Sequence, residues 1–368
     1  MKYRWLAAAG VATLCSLATQ NAFAGPCSST IMQTPSIGGK GALVAVSGTS
    51  VSDVWAVGWY ELQTSKKLGL VEHFDGSNWS VQSDSISESL TSVSEVSQTD
   101  VWAVGKSIWH WDGAKWRSVP GAPHGRGIYH YANAIAANRS NPNEVWAVGV
   151  EGYTGFAESW PWAEEWNGTK WTGWMLPGGA KTSELFSVTM LHDGTAWAVG
   201  ETQPGRFDQT TPIADRWTGT RWISIPPAKT FGVLWAVAAI DGHDAWTIGG
   251  RNSGLDDIEH WNGAKWSESA LRLPAAGQLD SVSTSSTGDA WAVAHMSQTF
   301  APAQSVVLEH WSGMEWMRAS MPVINAGTVV HALVDFDGSA IAVGAIQDTN
   351  DGPDAPSQTV AFEAECTP

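Results

Sequence analysis

Val101-Trp102-Ala103-Val104-Gly105 is followed four residues later by HWDGAKW, from His110 to Trp116. Alternating apolar residues in the first string mark a short strand, with one side chain in two turned to each face. In the second, Asp112-Gly113 between two tryptophans is the chemistry of a tight turn joining antiparallel strands. The pair recurs along the chain. VWAVG also stands at Val54–Gly58 and Val145–Gly149, AWAVG at Ala196–Gly200, and diverged copies, AWTIG, AWAVA and AIAVG, end at Gly249, Ala294 and Gly344. Successive copies lie 44 to 51 residues apart, from Trp55 to Ile341. Seven units of this length are the period of a β-propeller, in which each unit is one four-stranded blade.

Each unit supplies four strand candidates. The first has Leu, a variable residue, Ser or Ala, then Val, as in Leu90–Val93, Leu185–Val188 and Leu279–Val282. The small third residue suits the crowded strand nearest the axis. WAVG is the second strand. The third ends in strings such as EHFDGSNW (Glu72–Trp79) and EHWNGAKW (Glu259–Trp266), whose turn leads into the fourth. A blade cannot bury both faces alone, so the repeated tryptophans, Trp102, Trp111 and Trp116 in the second unit, are expected between blades as core.

The seventh unit has a first strand at Val330–Leu333, a second at Ala340–Gly344 and a third at Thr359–Glu363, but the chain ends before a fourth. Ile31–Pro35 matches the spacing of Trp116–Pro120, so the N-terminal segment is expected to complete the last blade. Cys366 then falls where other units have their WxGxxW turn, and Cys27 lies just ahead of the completing strand. A disulfide between them replaces the missing covalent turn. The expected fold is all-β, a seven-bladed propeller occupying 25–368 as a single domain.

The first 24 residues read as an export signal: Lys2 and Arg4, an apolar run from Trp5 to Ala18, then small residues ending at Ala24. Cys15 leaves with it, and the even pair that remains suits an oxidising compartment. The protein is expected to be secreted or periplasmic. No later segment has the length of apolar residues that a membrane helix needs. The chain holds 24 Trp and 38 Gly with 15% charged residues, and 20 basic against 36 acidic groups. Without Lys2 and Arg4 the net charge is −18. Such a surface disfavours nucleic acid and polyanionic polysaccharides.

The repeated DVWAVG and HWDGxxW strings resemble those of secreted bacterial propellers with WAVG repeats, similar in outline to tectonin-type and kelch-type propellers. The resemblance covers nearly all of the mature chain. It implies the fold and leaves activity open, because such families host lectins, enzymes and scaffolds.

Function is expected on the face that carries the long, irregular connections between second and third strands, as after Val57 and Val293. There His124, Arg126, Tyr129, His130 and Tyr131 precede the third blade, and Tyr153, Phe156, Glu158, Trp160 and Trp162 lie in its long loop. Flat aromatics beside polar donors suit sugar recognition. The expected ligand-binding set is His124, Arg126, Tyr129, His130, Tyr153, Trp160 and Trp162, in one asymmetric site for a glycan or other small extracellular ligand on a monomer. The alternatives are a polysaccharide lyase or hydrolase using His130 and Tyr129 with Arg126 on a carboxylate, and a protein-binding scaffold. His73, His110, His260 and His310 share one repeat position and are read as architecture, whereas His295 and His331 are candidates for the channel. No cofactor is expected. Asp348, Asn350 and Asp354 offer alternating oxygen ligands for calcium, but Gly352 comes one place early and Thr359 stands where the loop needs Glu. GxSxG, HExxH and P-loop strings are missing.

Overall fold

In the computed structural model each repeat is a four-stranded antiparallel sheet, and the seven sheets make a closed β-propeller. The structure describes residues 26–61, 66–82, 86–122, 129–153, 158–177, 182–203, 210–230, 232–250, 256–271, 273, 277–296, 306–322, 327–347 and 356–366. The segment expected to be an export signal and the calcium candidates Asp348, Asn350 and Asp354 lie outside these residues. Among those described, no helix is long and apolar enough to cross a membrane.

Six blades run in chain order. Blade 3, for example, pairs Tyr129–Ala137, Val145–Gly152, Ser159–Trp166 and Trp171–Trp174 in succession. Blade 7 is built from both ends: Thr328–Asp335, Ser339–Gln347 and Pro356–Cys366 are followed by the N-terminal strand Cys27–Met32. Cys27 stands opposite Cys366 in that register, and the two are joined by a disulfide. The N-terminal strand is also tied to blade 6, where Ser29 N–H donates to Ser320 O and Ser320 N–H to Cys27 O, each at 2.9 Å.

The third residue of the first-strand pattern has a role beyond its small size. An innermost strand has no neighbour on its axial side, so its N–H groups need other acceptors. Serines supply them from the preceding blade. Ile135 and Ala137 N–H donate to Ser92 and Ser94 Oγ, Val237 N–H to Ser187 Oγ, and Leu333 and Asp335 N–H to Ser281 and Ser283 Oγ, at 2.9 to 3.4 Å. At the other end of the blade, the glycine of each WxGxxW turn has φ between +85° and +89°, from Gly76 to Gly313. This left-handed conformation favours glycine.

Trp55, Trp102, Trp146, Trp197, Trp246 and Trp291 are 0 to 3% exposed. The first five pack on turn tryptophans of the following blade, as Trp146 does on Trp217 at 5.0 Å and Trp222 at 4.8 Å, and Trp291 packs in the cluster of Phe362 and the Cys27–Cys366 disulfide. Beside four of them lies the recurring histidine. His73, His110 and His260 meet Asp53, Asp100 and Asp244 at 2.8 Å, and His310 bonds to Asp289. Their rings lie 4.2 to 4.7 Å from Trp55, Trp102, Trp246 and Trp291. In these four blades the aspartate before the WAVG copy thus orients the histidine that covers its tryptophan.

The residue preceding that histidine points to the opposite face of the strand. That place holds a buried carboxylate in five blades, Glu72, Glu259 and Glu309 before a histidine and Glu164 and Asp215 before Glu165 and Arg216. Glu164 accepts the N–H of Ala122 and Glu259 those of Ala228 and Lys229, each in the segment arriving from the blade before. Burial pushes the Glu72 carboxyl up to about 8, against a hydrogen bond from Thr359, and the Glu164 carboxyl up to about 7. Glu95, at the axial strand of blade 2, is pushed up to about 8 by burial and by Asp53. A carboxyl whose pKa is raised by folding stabilises the fold fully below its unfolded value, near 4.5, and loses that contribution as pH climbs through the folded value. Melting temperature should therefore fall between about pH 5 and about pH 9. Glu72→Gln should flatten the profile and melt higher than wild type at its alkaline end. Calorimetry across that range would refute this assignment if the two profiles ran parallel.

Candidate functional site

Near the start of the first strand the register with the second slips by one residue in six blades: between Leu43 and Ala45, Ala132 and Ala134, Leu185 and Ser187, Leu234 and Ala236, Leu279 and Ser281, and Val330 and Ala332. Such a bulge leaves one residue outside the ladder and re-aims its side chain. The bulged residues are Val44, Asn133, Phe186, Trp235, Asp280 and His331. In blade 2 Thr91 takes the same place, its N–H donating to Val104 O.

The repeated backbone position sets these residues as a ring around the channel mouth, and several of them touch a neighbour. Thr91 Oγ1 donates to Ala132 O at 3.0 Å. Asn133 Nδ2 donates to Glu184 Oε1 and Leu185 O, both at 2.8 Å. Phe186 and Trp235 set their rings 5.1 Å apart, with Trp235 38% exposed. Asp280 holds His295 through Nδ1, at 2.9 and 2.7 Å to its two oxygens. Burial raises the Asp280 carboxyl despite His295. Burial, with His295 nearby, pushes His331 down to about 4, which leaves it neutral at physiological pH. One side of the mouth is thus aromatic, and the other carries a carboxylate, two imidazoles and an amide. Sugar binding uses both kinds of surface.

A cavity of about 640 Å3 opens beside this ring, over blade 2. In that blade the connection between second and third strands is only Gly105–Ser107. Trp102 and its paired His110 are 8 positions apart, against 18 for Trp55 and His73 and 19 for Trp291 and His310. The short connection cuts a notch in the rim. Lys66 and Lys67 of blade 1, Lys106 of blade 2 and Tyr129, Tyr131 and Asn133 of blade 3 line it. Tyr129 and Tyr131, next-but-one on a strand and so on one face, have ring centres 5.5 Å apart.

The residues expected to form one binding face are divided. Tyr129 reaches the notch. His130, turned the other way by strand alternation, lies 5.6 Å from Trp162 beside a separate cleft of about 220 Å3 between blades 2 and 3. Trp162 is 6% exposed and packs with Trp102, Ile108 and Ala132, so it offers little surface to a ligand. Tyr153 and Trp160 pack on each other edge to face at 5.9 Å. Trp160 and Trp162 belong to a third strand and Tyr129–Tyr131 to a first strand, not to loops. His124 and Arg126, the latter also the carboxylate holder of the enzymatic alternative, lie outside the described residues. The structure supplies Phe186, Trp235 and the notch lysines, none of which the sequence singled out. Phe186 and Trp235 occupy the second position of the first-strand pattern, where His331 drew notice only for being a histidine.

No known protein family matches the chain, and no curated protein does. Several solved structures share its fold. A lectin from Burkholderia pseudomallei is 16% identical, with 88% of this chain and 96% of that chain covered and a TM-score of 0.57. YCF48 from Cyanidioschyzon merolae is 14% identical over 91% of this chain and 98% of that one, with a TM-score of 0.55. The GH74 xyloglucanase from Xanthomonas campestris is 12% identical over 91% of this chain and 55% of that one, also with a TM-score of 0.55. At these identities the likeness is one of fold.

Proposed function

We propose that this chain is an exported recognition propeller that binds a glycan at the channel mouth of its long-loop face. The observation that carries the reading is the ring of bulged residues. Their backbone position repeats in every blade while their side chains do not, and they combine the Phe186–Trp235 platform with the Asp280–His295 pair, His331 and Asn133. A site assembled from seven different side chains is asymmetric, so it suits one ligand on the axis in place of seven equivalent ones. The lectin and the xyloglucanase that share the fold are in keeping with a carbohydrate ligand. The even cysteine pair, joined across the ring closure, is in keeping with a secreted or periplasmic protein.

Replacing Phe186 and Trp235 together with alanine should leave melting nearly unchanged and weaken glycan binding by about tenfold or more, since each stacking aromatic contributes roughly 1 kcal/mol beyond its area. A glycan array followed by calorimetric titration measures this, with product analysis of the same mixtures. Retention of full affinity by the double variant would move the site away from the axis. Release of shortened sugars would make the protein an enzyme and turn attention to His295.

A further inference from the structure

We infer that the notch over blade 2 is a subsite for a carboxylate carried by an otherwise neutral glycan, such as a single uronosyl or sialyl residue. The inference rests on the glycan reading and names the chemistry of one part of that site.

The cavity is a consequence of chain length. Blade 2 turns from second to third strand in three residues, and the cavity opens over that short connection, beside the channel mouth. The protein is acidic, with 36 Asp and Glu against 20 Lys and Arg, yet three lysines converge on this cavity from two blades. Among the described residues none of the three is in an ion pair. Lys67 instead lies over the ring of Trp59, 3.7 Å from its centre, which holds its stem in place.

Two carboxylates share the lining, and both are already engaged. Glu88 Oε1 accepts Ser107 N–H at 3.1 Å and Trp109 Nε1–H at 2.7 Å, bracing the short connection that makes the notch. Glu184 accepts from Asn133. Three cations against two committed anions leave a local excess of one positive charge, sufficient for one carboxylate and insufficient for a polyanion. The negative field of the whole molecule repels a polyanion in any case. Tyr129 and Tyr131 add the flat apolar surface that a pyranose ring needs beside its carboxylate. Thr91 and Asn133 belong both to this lining and to the axial ring, so one oligosaccharide can span the two.

The test is an array of uronosyl- and sialyl-terminated oligosaccharides, each printed beside its methyl ester, probed with wild type and with the Lys66→Gln, Lys67→Gln, Lys106→Gln triple variant. The three side chains are exposed, so the variant should melt as wild type does. Wild type should prefer the acid over its ester by about tenfold, the sum expected of a few exposed charge pairs, and the preference should shrink as salt is raised. The variant should bind acid and ester alike. If wild type binds esters or neutral glycans as well as acids, the carboxylate subsite is wrong while glycan recognition stands. If it binds no glycan, both fall. If the acid preference survives in the variant, the carboxylate is held elsewhere and the notch is not its site.

Discussion

Replacing Cys27 and Cys366 with serine should lower stability by about 5 to 6 kcal/mol at most, the loop-closure value for residues 339 apart in the chain. The reason lies in how the ring is shut. The N-terminal strand is held to blade 7 by backbone pairing from Cys27–Cys366 to Met32–Ala361, and at one point to blade 6. A strand of six residues near the start of a chain frays easily unless tied down. Other blades have a turn joining third to fourth strand, whereas here the disulfide is the only covalent link. Without it, Phe362, Ala364 and the buried cysteine positions become the first part of the core to meet water, and the seam between blades 6 and 7 opens. Thermal unfolding of the double variant under oxidising conditions, beside wild type with and without a reductant, measures the effect. The variant should match the reduced wild type. Equal melting of variant and oxidised wild type would mean that strand pairing alone closes the ring.

The same seam shows why the fold was legible in the sequence. Architecture repeats: a tryptophan that must pack against the next blade recurs in six units, and a unit without a fourth strand stands out against six that have one. The histidines of His73, His110, His260 and His310 could be set aside for that reason, and the aspartates bonded to them agree. A binding site has the opposite signature. Its residues occupy a repeated backbone position, the bulge, with a different side chain in each blade, so Val44, Phe186 and Trp235 look like noise in an alignment of the units.

A bulge is a feature of register, which the strings do not display. Blade 3 misleads for a related reason. Pro161 interrupts the alternation of Ser159–Trp162, and the polar run before Tyr129 hides the beginning of a strand, so two strand ends read as loops and His130 falls among side chains that point away from it. The deletion in blade 2 was visible as a short spacing between Trp102 and His110. Its meaning as a notch depends on which side chains of blades 1 and 3 line it, and that is a matter of tertiary arrangement.

Trp102→Ala should cost about 3 to 5 kcal/mol, and Trp160→Ala well under half of that, although both residues are tryptophans on strands. Trp102 is 3% exposed and sits where two blades meet. His110 of its own blade covers one face at 4.2 Å, and Trp166 and Trp171 of blade 3 approach at 5.7 Å each, the second edge to face. Val104, Ile108, Ile135, Val145 and Ala147 fill the remainder of that cluster. Alanine leaves a cavity bounded by two rigid sheets, which cannot close on it without shifting a blade, and the cost of a core truncation rises with the cavity that remains. Trp160 is half-buried, near the outer end of its strand, and its ring partner is Tyr153, itself exposed. Truncation there exposes little that was dry. Trp102→Phe separates packing from hydrogen bonding: the indole N–H is buried with no acceptor, so phenylalanine loses ring area but no hydrogen bond and should recover much of the stability that alanine loses. Chemical denaturation of the three variants gives the order directly. If Trp160→Ala proved as damaging as Trp102→Ala, or Trp102→Phe as damaging as Trp102→Ala, packing between blades would not be what these tryptophans supply.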